Sequence, residues 1–440
     1  MGTGREAAVE ALTACRRLDA WSDGSLKNAC RDLDRREAAL AARLTYGVLQ
    51  NRALLDFYLG KLCSQSFEKM EPFIRDVLRL GGYQILFMDR VPDSAAVDES
   101  VELVKRKKRQ RAAGMVNAVL RRLSREKAAL PELPADDPAA YLALRYSHPR
   151  WLVERLREQL GDQETEEYLR LDNESVPTVI QRNPLRCSAE ELAESLTASG
   201  AKLEPHAWMP DCWLLSGGGG LEAMPAFRKG FFLVQDAAAK AAVAASGVRP
   251  GDKVLDVCAA PGGKSFSAAM AMEGRGEIVA CDIHPHKLTL IEKGAERLGI
   301  SCIRTGLADG RQTRDEWLEY FDAVLCDVPC SGLGIIRKKP DIRYKDPAQL
   351  AGLPEVQRAI LENAARYVKP GGTLLYATCT ILPEENQGVT DGFLARYPEF
   401  QKDAFSIPGL DNENDGSLTL WPQRLGTDGF YICRMRKSCL

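Results

Sequence analysis

The sequence predicts a multidomain chain: an all-α bundle, a small α/β middle unit, then a Rossmann-like, doubly wound α/β domain. Three observations predict it. Apolar residues recur at helical spacing through residues 1–130, with no convincing strand. Pro131–Asp137, PELPADD, has the composition of a linker. From residue 231 onward, strand-like apolar runs alternate with helical stretches, which argues for a mostly parallel sheet. The expected domains are therefore residues 1–130, 141–230 and 231–440.

In the bundle, Arg5–Leu18 and Glu37–Leu49 show helical spacing. Pro72 suits a first helical position ahead of Phe73, Val77, Leu80 and Ile85. Asp93-Ser94 offers an N-cap to Ala95–Val104. Met115, Val116, Val119, Leu120 and Leu123 mark one more amphipathic helix. In the middle unit Trp151–Leu171 reads as helix and Thr178–Gln181 as strand. Ser188–Ser199 is a helix whose Ser188 and Glu191 form a capping box. Trp213–Leu215 is strand-like, and Gly217–Gly220 is a loop.

The last domain reads regularly. The expected strands are Val254–Val257, Glu277–Asp282, Cys302–Thr305, Phe321–Asp327, Thr373–Thr378 and a late Gly429–Met435. The expected helices are Ser265–Met272, Pro285–Leu298, Pro354–Tyr367 closed by Pro370-Gly371-Gly372, and Asn386–Arg396.

Bulk properties narrow the class. The 440 residues are 45% hydrophobic and 27% charged, the balance of a soluble globular protein. No apolar run approaches the ~18 residues of a membrane span, and the N-terminus has no signal-peptide core. The 13 cysteines, odd in number and scattered, favour reduced thiols and a cytoplasmic location over a disulfide framework. Four histidines and no C-x-x-C pair argue against a zinc site, so no metal is expected. Net charge is −2, but residues 1–140 hold 24 Lys+Arg against 20 Asp+Glu. Within them Lys105–Arg111, KRKKRQR, is either a solvated helix end or a phosphate-contact patch. Nothing demands an oligomer, and a monomer is expected.

The chemistry centres on Val254–Lys264, VLDVCAAPGGK. A buried strand breaks into small residues, Cys258, Ala259 and Ala260, then Pro261, Gly262, Gly263 and Lys264, before a helix starts. Ligands of doubly wound sheets sit at such carboxyl ends. Gly263-Lys264-Ser265 resembles half a P-loop, but Cys258 stands where that motif needs glycine, and G-x-G-x-x-G is missing. A nucleotide-like cofactor without a polyphosphate fits better than a phosphate cradle; the loop alone is also compatible with an ordinary βα turn. Asp282 ends the next strand, where an acid bonds ribose hydroxyls. Asp309 comes to the same rim, where it could hold an adenine amino group. Either acid alone could equally be a cap or a solvated loop residue.

Two other strand ends carry the candidate reaction. Asp327-Val328-Pro329-Cys330-Ser331-Gly332 follows one strand, and Thr378-Cys379-Thr380 closes the next. If the strands are neighbours, their ends are about 5 Å apart, and Cys330, Cys379 and Asp327 share one cleft. A single strand-end cysteine is usually a small buried hydrophobe; two beside an Asp-x-Pro are harder to assign to packing. A thiolate is the nucleophilic form, so such a site must activate one of them.

These residues carry a resemblance. The front, through ARLTYGVLQNRALLDFYL (Ala42–Leu59), VPDSAAVDESVELVKR (Val91–Arg106) and MVNAVLRRLSR (Met115–Arg125), resembles the NusB-like RNA-binding domain. DVCAAPGGK (Asp256–Lys264), DVPCSGLG (Asp327–Gly334), ATCT (Ala377–Thr380) and GTDGFY (Gly426–Tyr431) look like the RNA (cytosine-5)-methyltransferases. The whole layout resembles the bacterial 16S rRNA (cytosine-5)-methyltransferase B family, also called Sun or Fmu. The resemblance implies S-adenosyl-L-methionine held by Cys258–Lys264, Asp282, Asp309 and Asp327, and small-subunit rRNA as partner. It makes Cys379 the nucleophile, Cys330 the residue of product release, and Asp327 the contact to the cytosine N3 edge. Thr380 stands where the family often has Ser and keeps the hydroxyl. Two other classes are weighed. One is an RNA-binding or antitermination-type factor with an inert methyltransferase-like domain, against which the paired cysteines and acids speak. The other is a DNA cytosine-5 methyltransferase using Cys330, which the second cysteine and the RNA-binding front disfavour. Zinc deamination lacks its H-x-E and P-C-x-x-C signatures.

Overall fold

The computed structural model describes residues 2–18, 22–411 and 413–439, and the chain divides into two compact units. The first comprises residues 1–174 and 336–345. Its helices are α1 (Gly4–Leu18), α2 (Ser22–Ala29), α3 (Arg35–Gln50), α4 (Arg52–Leu62), α5 (Pro72–Phe87), α6 (Asp93–Arg106), α7 (Gln110–Glu126), α8 (Pro138–Arg145) and α9 (Arg150–Leu171). Local chemistry explains several starts. The Asp34 carboxylate accepts from the amides of Arg36 and Glu37 at the head of α3, and Pro72 opens α5. The apolar stripes meet in one core that includes Val48, Leu59, Leu80, Val97 and Leu120.

Two local expectations change. Asp93 does not cap α6: Pro92 occupies that position, and the Asp93 carboxylate instead takes the Ser124 hydroxyl (2.7 Å) and the Lys127 ammonium (2.7 Å). A tertiary partner outcompetes the local cap. The long helix α9 is interrupted at Gly161, whose φ of 75° and ψ of 177° only glycine adopts readily.

Residues 336–345 contribute an unusual anchor to this unit. Arg343 is wholly buried. Its Nη1 donates to the carbonyls of Gln50, Tyr146 and Ser147 (each 3.2 Å) and to Asn173 Oδ1 (2.9 Å). A guanidinium is tolerated inside because its terminal nitrogens find partners, Nη2 reaching the Asp172 carbonyl at 3.4 Å, although the buried Nε has none. Next to it, Tyr344 donates its hydroxyl to the Leu49 carbonyl, and the Arg52 guanidinium lies 3.5 Å from the Tyr344 ring centroid.

The second unit comprises residues 175–335 and 346–440. It begins with β1 (Thr178–Arg182), α10 (Ala189–Ala198), β2 (Ala201–Pro205), β3 (Cys212–Gly217), α11 (Pro225–Arg228) and β4 (Phe232–Val234). The strands form an antiparallel sheet in the order β2-β3-β1-β4. The capping box of Ser188 and Glu191 is present. The sequence pattern missed β2, a mostly exposed strand ending in proline, and β4, only three residues long.

The chain continues with α12 (Ala237–Ser246), β5 (Lys253–Asp256), α13 (Gly263–Ala271), β6 (Glu277–Asp282), α14 (Pro285–Leu298), β7 (Ile303–Leu307) and β8 (Phe321–Asp327). It closes with α15 (Pro347–Leu350), α16 (Leu353–Ala365), β9 (Val368–Thr378), α17 (Gln387–Leu394), β10 (Phe400–Lys402), β11 (Ser417–Leu420), α18 (Pro422–Leu425) and β12 (Phe430–Lys437). One eight-stranded sheet results, in the order β10-β12-β9-β8-β5-β6-β7 with β11 on β12. The run β9-β8-β5-β6-β7 is parallel, and β12 returns antiparallel to β9. Val254, Ala280 and Leu325 enter one apolar cluster, and their chain neighbours Leu255, Val279 and Val324 enter another. Alternate residues therefore serve opposite faces, and both faces are covered.

Pro370-Gly371-Gly372 does not close a helix. Helix α16 ends at Ala365, and these residues lie inside β9. There the ladder to β8 jumps from Phe321↔Val368 to Ala323↔Thr373. A residue without an N–H and a glycine at φ 74° take up the extra length.

Candidate active site

The loop from Cys258 to Gly262 leaves the end of β5 and is sewn to its neighbours by main-chain bonds. Val257 N donates to Leu325 O on β8, and Ala259 N to Cys281 O on β6. Gly262 has a φ of 110°, and a Cβ there would stand 2.4 Å from the Phe266 ring, so the turn into α13 needs glycine. Ala259 is buried and Pro261 exposed. Burial pushes the Cys258 thiol well up, which keeps it protonated.

Beneath the loop Asp256 is wholly buried, with Oδ2 accepting the Ser265 hydroxyl at 2.6 Å. Its Oδ1 has no partner. Burial, and then the nearby charge of Asp327, push its carboxyl up to about 6. Lys264, from the first turn of α13, reaches across the β5 and β8 ends to Asp327 Oδ2 at 2.5 Å. Burial pulls its proton affinity down, but Asp327 and Cys379 push it up, and they prevail.

Asp282 is the last residue of β6, and Asp309 lies just beyond the end of β7. Asp282 is buried; Oδ1 accepts the His284 amide (2.9 Å), and Oδ2 is 3.5 Å from Lys287 Nζ. Asp309 is held by Arg311, whose guanidinium and amide keep its carboxyl below the usual range. Ile283, Leu307, Ala308, Asp309 and Gln312 line a cavity of about 400 Å³, within the size range of small-ligand sites. Ile283 and Leu307 are each 51% exposed, an apolar surface beside an acid that suits a purine ring.

The β8 and β9 ends bring the two thiols together. These strands are parallel neighbours, and Cys330 Sγ lies 3.3 Å from Cys379 Sγ. The hydrogen bond to Cys379 and burial push the Cys330 thiol well up. The loop after Cys330 is pinned where two main chains touch. Gly334 N donates to Cys379 O and Gly429 N to Gly334 O, and a Cβ on Gly334 would meet the Gly429 oxygen at 2.0 Å. Both glycines belong to the motifs Asp327–Gly334 and Gly426–Tyr431.

The structure thus gathers Lys264, Asp327, Cys330 and Cys379 into one cluster, with Asp282 and Asp309 on the neighbouring strand ends. Sequence reasoning missed a buried polar layer under the cysteines, made of Gln357, Glu385 and Asn386. The only local signal was an acid and an amide, Glu385-Asn386, following the apolar Ile381-Leu382. Among the described residues no three His, Cys, Asp or Glu could hold a metal ion, and no helix is long and apolar enough to cross a membrane.

Residues 245–436 match the family described as 16S rRNA methyltransferase RsmB/F. The chain belongs to this family. Residues 3–125 match the NusB family, as the front of the sequence suggested, and residues 148–221 match the RsmF/B-like ferredoxin-like domain. The "Probable ribosomal RNA small subunit methyltransferase B" of Bacillus subtilis (strain 168) is 35% identical, covering 99% of this chain and 98% of that protein. The ribosomal RNA small subunit methyltransferase B of Klebsiella pneumoniae (strain 342) is 32% identical over 91% and 90%. Among solved structures, the crystal structure of PH0851 is 27% identical with a TM-score of 0.84, covering 99% and 98%. NusB domain, middle domain and methyltransferase domain therefore follow one another in the expected order. As a member of the RsmB/F family, the chain is an S-adenosylmethionine-dependent rRNA methyltransferase. The small-residue loop, the acids at the strand ends and the cavity beside Asp309 fit that cofactor.

Proposed function

We propose that the protein methylates C5 of a cytosine in 16S rRNA through a covalent bond between Cys379 and the ring C6. The observation that carries this reading is the pair of thiols 3.3 Å apart at adjacent strand ends, beside the Lys264–Asp327 ion pair. Cytosine C5 is a poor nucleophile. Addition of the Cys379 thiolate to C6 pushes the ring electron pair onto C5, which becomes enamine-like. Asp327 accepts from the amino edge and from a proton taken up by N3, which draws the ring electrons toward N3 and opens C6 to attack. S-adenosylmethionine supplies an electrophilic methyl group when bound; Cys258–Lys264, Asp282, Asp309 and Asp327 would hold it. After methylation a water held beside Cys330 takes the C5 proton, the C5–H electron pair re-forms the C5=C6 bond, the C6–S bond breaks, and its electron pair returns to Cys379. Cys330 keeps its proton in the resting pair, so it can hydrogen-bond the departing sulfur. The base must leave its stack to expose this face, which a single-stranded loop makes less costly. The same reading makes small-subunit rRNA the partner of a monomeric, cytoplasmic chain.

The test uses labelled S-adenosylmethionine and unmodified small-subunit rRNA, digested to nucleosides. The expected product is 5-methylcytidine. Cys379→Ala should form none, and Cys330→Ala should trap a protein–RNA adduct. A fully active Cys379→Ala protein would overturn the reading.

A further inference from the structure

The residues on either side of each cysteine are tied, directly or through Gln357, to two residues adjacent in sequence, Glu385 and Asn386, which are 1% and 2% exposed. Glu385 serves the Cys330 loop. Its Oε2 accepts the Ser331 amide at 2.9 Å and Gln357 Nε2 at 2.8 Å, and the same Gln357 nitrogen donates to the Pro329 carbonyl at 2.9 Å. The residues before and after Cys330 are thereby tied to one carboxylate. Asn386 serves the other cysteine. Its Oδ1 accepts the Thr378 hydroxyl at 2.6 Å, and its Nδ2 donates to the Thr380 carbonyl at 3.1 Å.

The two clamps are joined through hydroxyls. Ser331 Oγ is 2.6 Å from Thr380 Oγ1, which is 3.3 Å from Glu385 Oε1 and accepts the Leu382 amide. One proton assignment satisfies all of these contacts: Ser331 donates to Thr380, and Thr380 donates to Glu385. Three donors then converge on the carboxylate.

We propose that Glu385 and Asn386 are positioning residues that set the two thiols in register, Glu385 holding the Cys330 loop and Asn386 the Cys379 strand end. The inference rests on the reading of Cys379 as nucleophile and Cys330 as release residue. It adds that release depends on a carboxylate that touches neither substrate nor cofactor. The charged and titratable groups acting on Cys330 are Cys379, Glu385, Asp327 and the Tyr376 phenol. The hydrogen bond to Cys379 and burial oppose ionisation of Cys330 most, and the charges of Glu385 and Asp327 add to this.

The test uses the full chain with Glu385→Gln, Glu385→Ala and Asn386→Ala. Glutamine retains the shape and can retain the contacts: its oxygen faces Ser331 and Gln357, its amide faces Thr380, and the Thr380 hydroxyl turns to Ser331. The first measurement needs no RNA: iodoacetamide alkylation of Cys330 against pH, resolved by peptide mass spectrometry, with Cys15 as control. Glu385→Gln should move the Cys330 profile to lower pH, because a buried like charge is gone, and leave Cys15 in place. A purely structural Glu385 predicts no movement in a folded variant, and that result overturns the inference. The second measurement is the adduct on rRNA. Glu385→Ala should lower turnover at least about tenfold, the equivalent of roughly one lost hydrogen bond, and accumulate adduct as Cys330→Ala does. An adduct with Cys330→Ala but none with either Glu385 variant overturns the inference and leaves the reaction standing. No adduct and no 5-methylcytidine in any protein overturns the reaction, and the alkylation profile still decides the role of Glu385.

Discussion

Lys264 and Asp327, 63 residues apart in sequence, close a 2.5 Å ion pair across the carboxyl ends of β5 and β8. The ammonium is largely buried, with the Phe430 ring 4.9 Å away. Removing one partner strands the other charge at low dielectric, which is far more damaging than loss of a surface pair. Asp327→Asn and Lys264→Met should each lower the methylation rate by about 10²–10³-fold, the cost typical of losing a preorganised electrostatic contact. Because the residues act as a unit, the double variant should be hardly worse than either single one. Initial rates with labelled cofactor check this; additive losses would show that the two act separately.

Buried Asp256 makes stability depend on pH in a definite direction. Its carboxyl is pushed up to about 6, above the ordinary value of about 3.9. Between those values the folded state binds more protons than the unfolded one, so stability falls as pH rises and levels off above pH 6. The penalty at neutral pH is on the order of 3 kcal/mol. Asp256→Asn should lack this slope. Hydrogen exchange of the β5 amides, compared from about pH 4 to about pH 7, should show protection of the native protein falling relative to the variant. Parallel curves would mean the carboxylate is stabilised by contacts the structure does not contain.

Arg343 anchors residues 336–345 by donating to five acceptors from a wholly buried position. Arg343→Met fills similar volume but leaves the Gln50, Tyr146 and Ser147 carbonyls without this donor. It should destabilise the helical unit by about 3–5 kcal/mol. Arg343→Lys should recover only part, since one ammonium lacks the planar fork. Denaturant unfolding followed by α3 and α9 amide exchange measures both. A variant as stable as the native chain would show that those carbonyls find other donors.

What the sequence revealed followed the range of each interaction. Val254–Asp256 and Ala323–Asp327 stood out because a parallel strand buried on both faces is an unbroken apolar run ending at a polar site. The same logic put Cys330 and Cys379 past strand ends, and the pairing of β8 with β9 makes those ends neighbours. By contrast, β10 and β11 are edge strands of three and four residues, too short for any period to register. Glu385 bonds Ser331, 54 positions away, and Lys264 was visible as a loop residue but not as the partner of Asp327. Asp93 shows the converse error: a good local cap signal was overruled by Ser124 and Lys127.

The basic run Lys105–Arg111 is less basic in the fold than in the sequence. Lys105 pairs with Glu102, Lys107 with both Glu6 and Glu10, and Arg109 with Glu71. Arg109 also lies 4.6 Å from the Phe73 ring. Lys107 and Arg109 tie the α6–α7 turn to α1 and to the start of α5, while the Lys105 pair lies within α6. Arg106, Lys108 and Arg111 are exposed and appear in none of these pairs. If the turn contacts rRNA, they supply the counterion release. Replacing the three by Ala should reduce the slope of log affinity against log salt by about two, at roughly 0.7–0.9 per phosphate contact. Lys107→Ala should leave that slope unchanged and weaken only the local packing. Filter binding to small-subunit rRNA over a salt series measures both. An unchanged slope in the triple variant would assign the whole run to the solvated surface and move the search for the rRNA contact to another face of the helical unit.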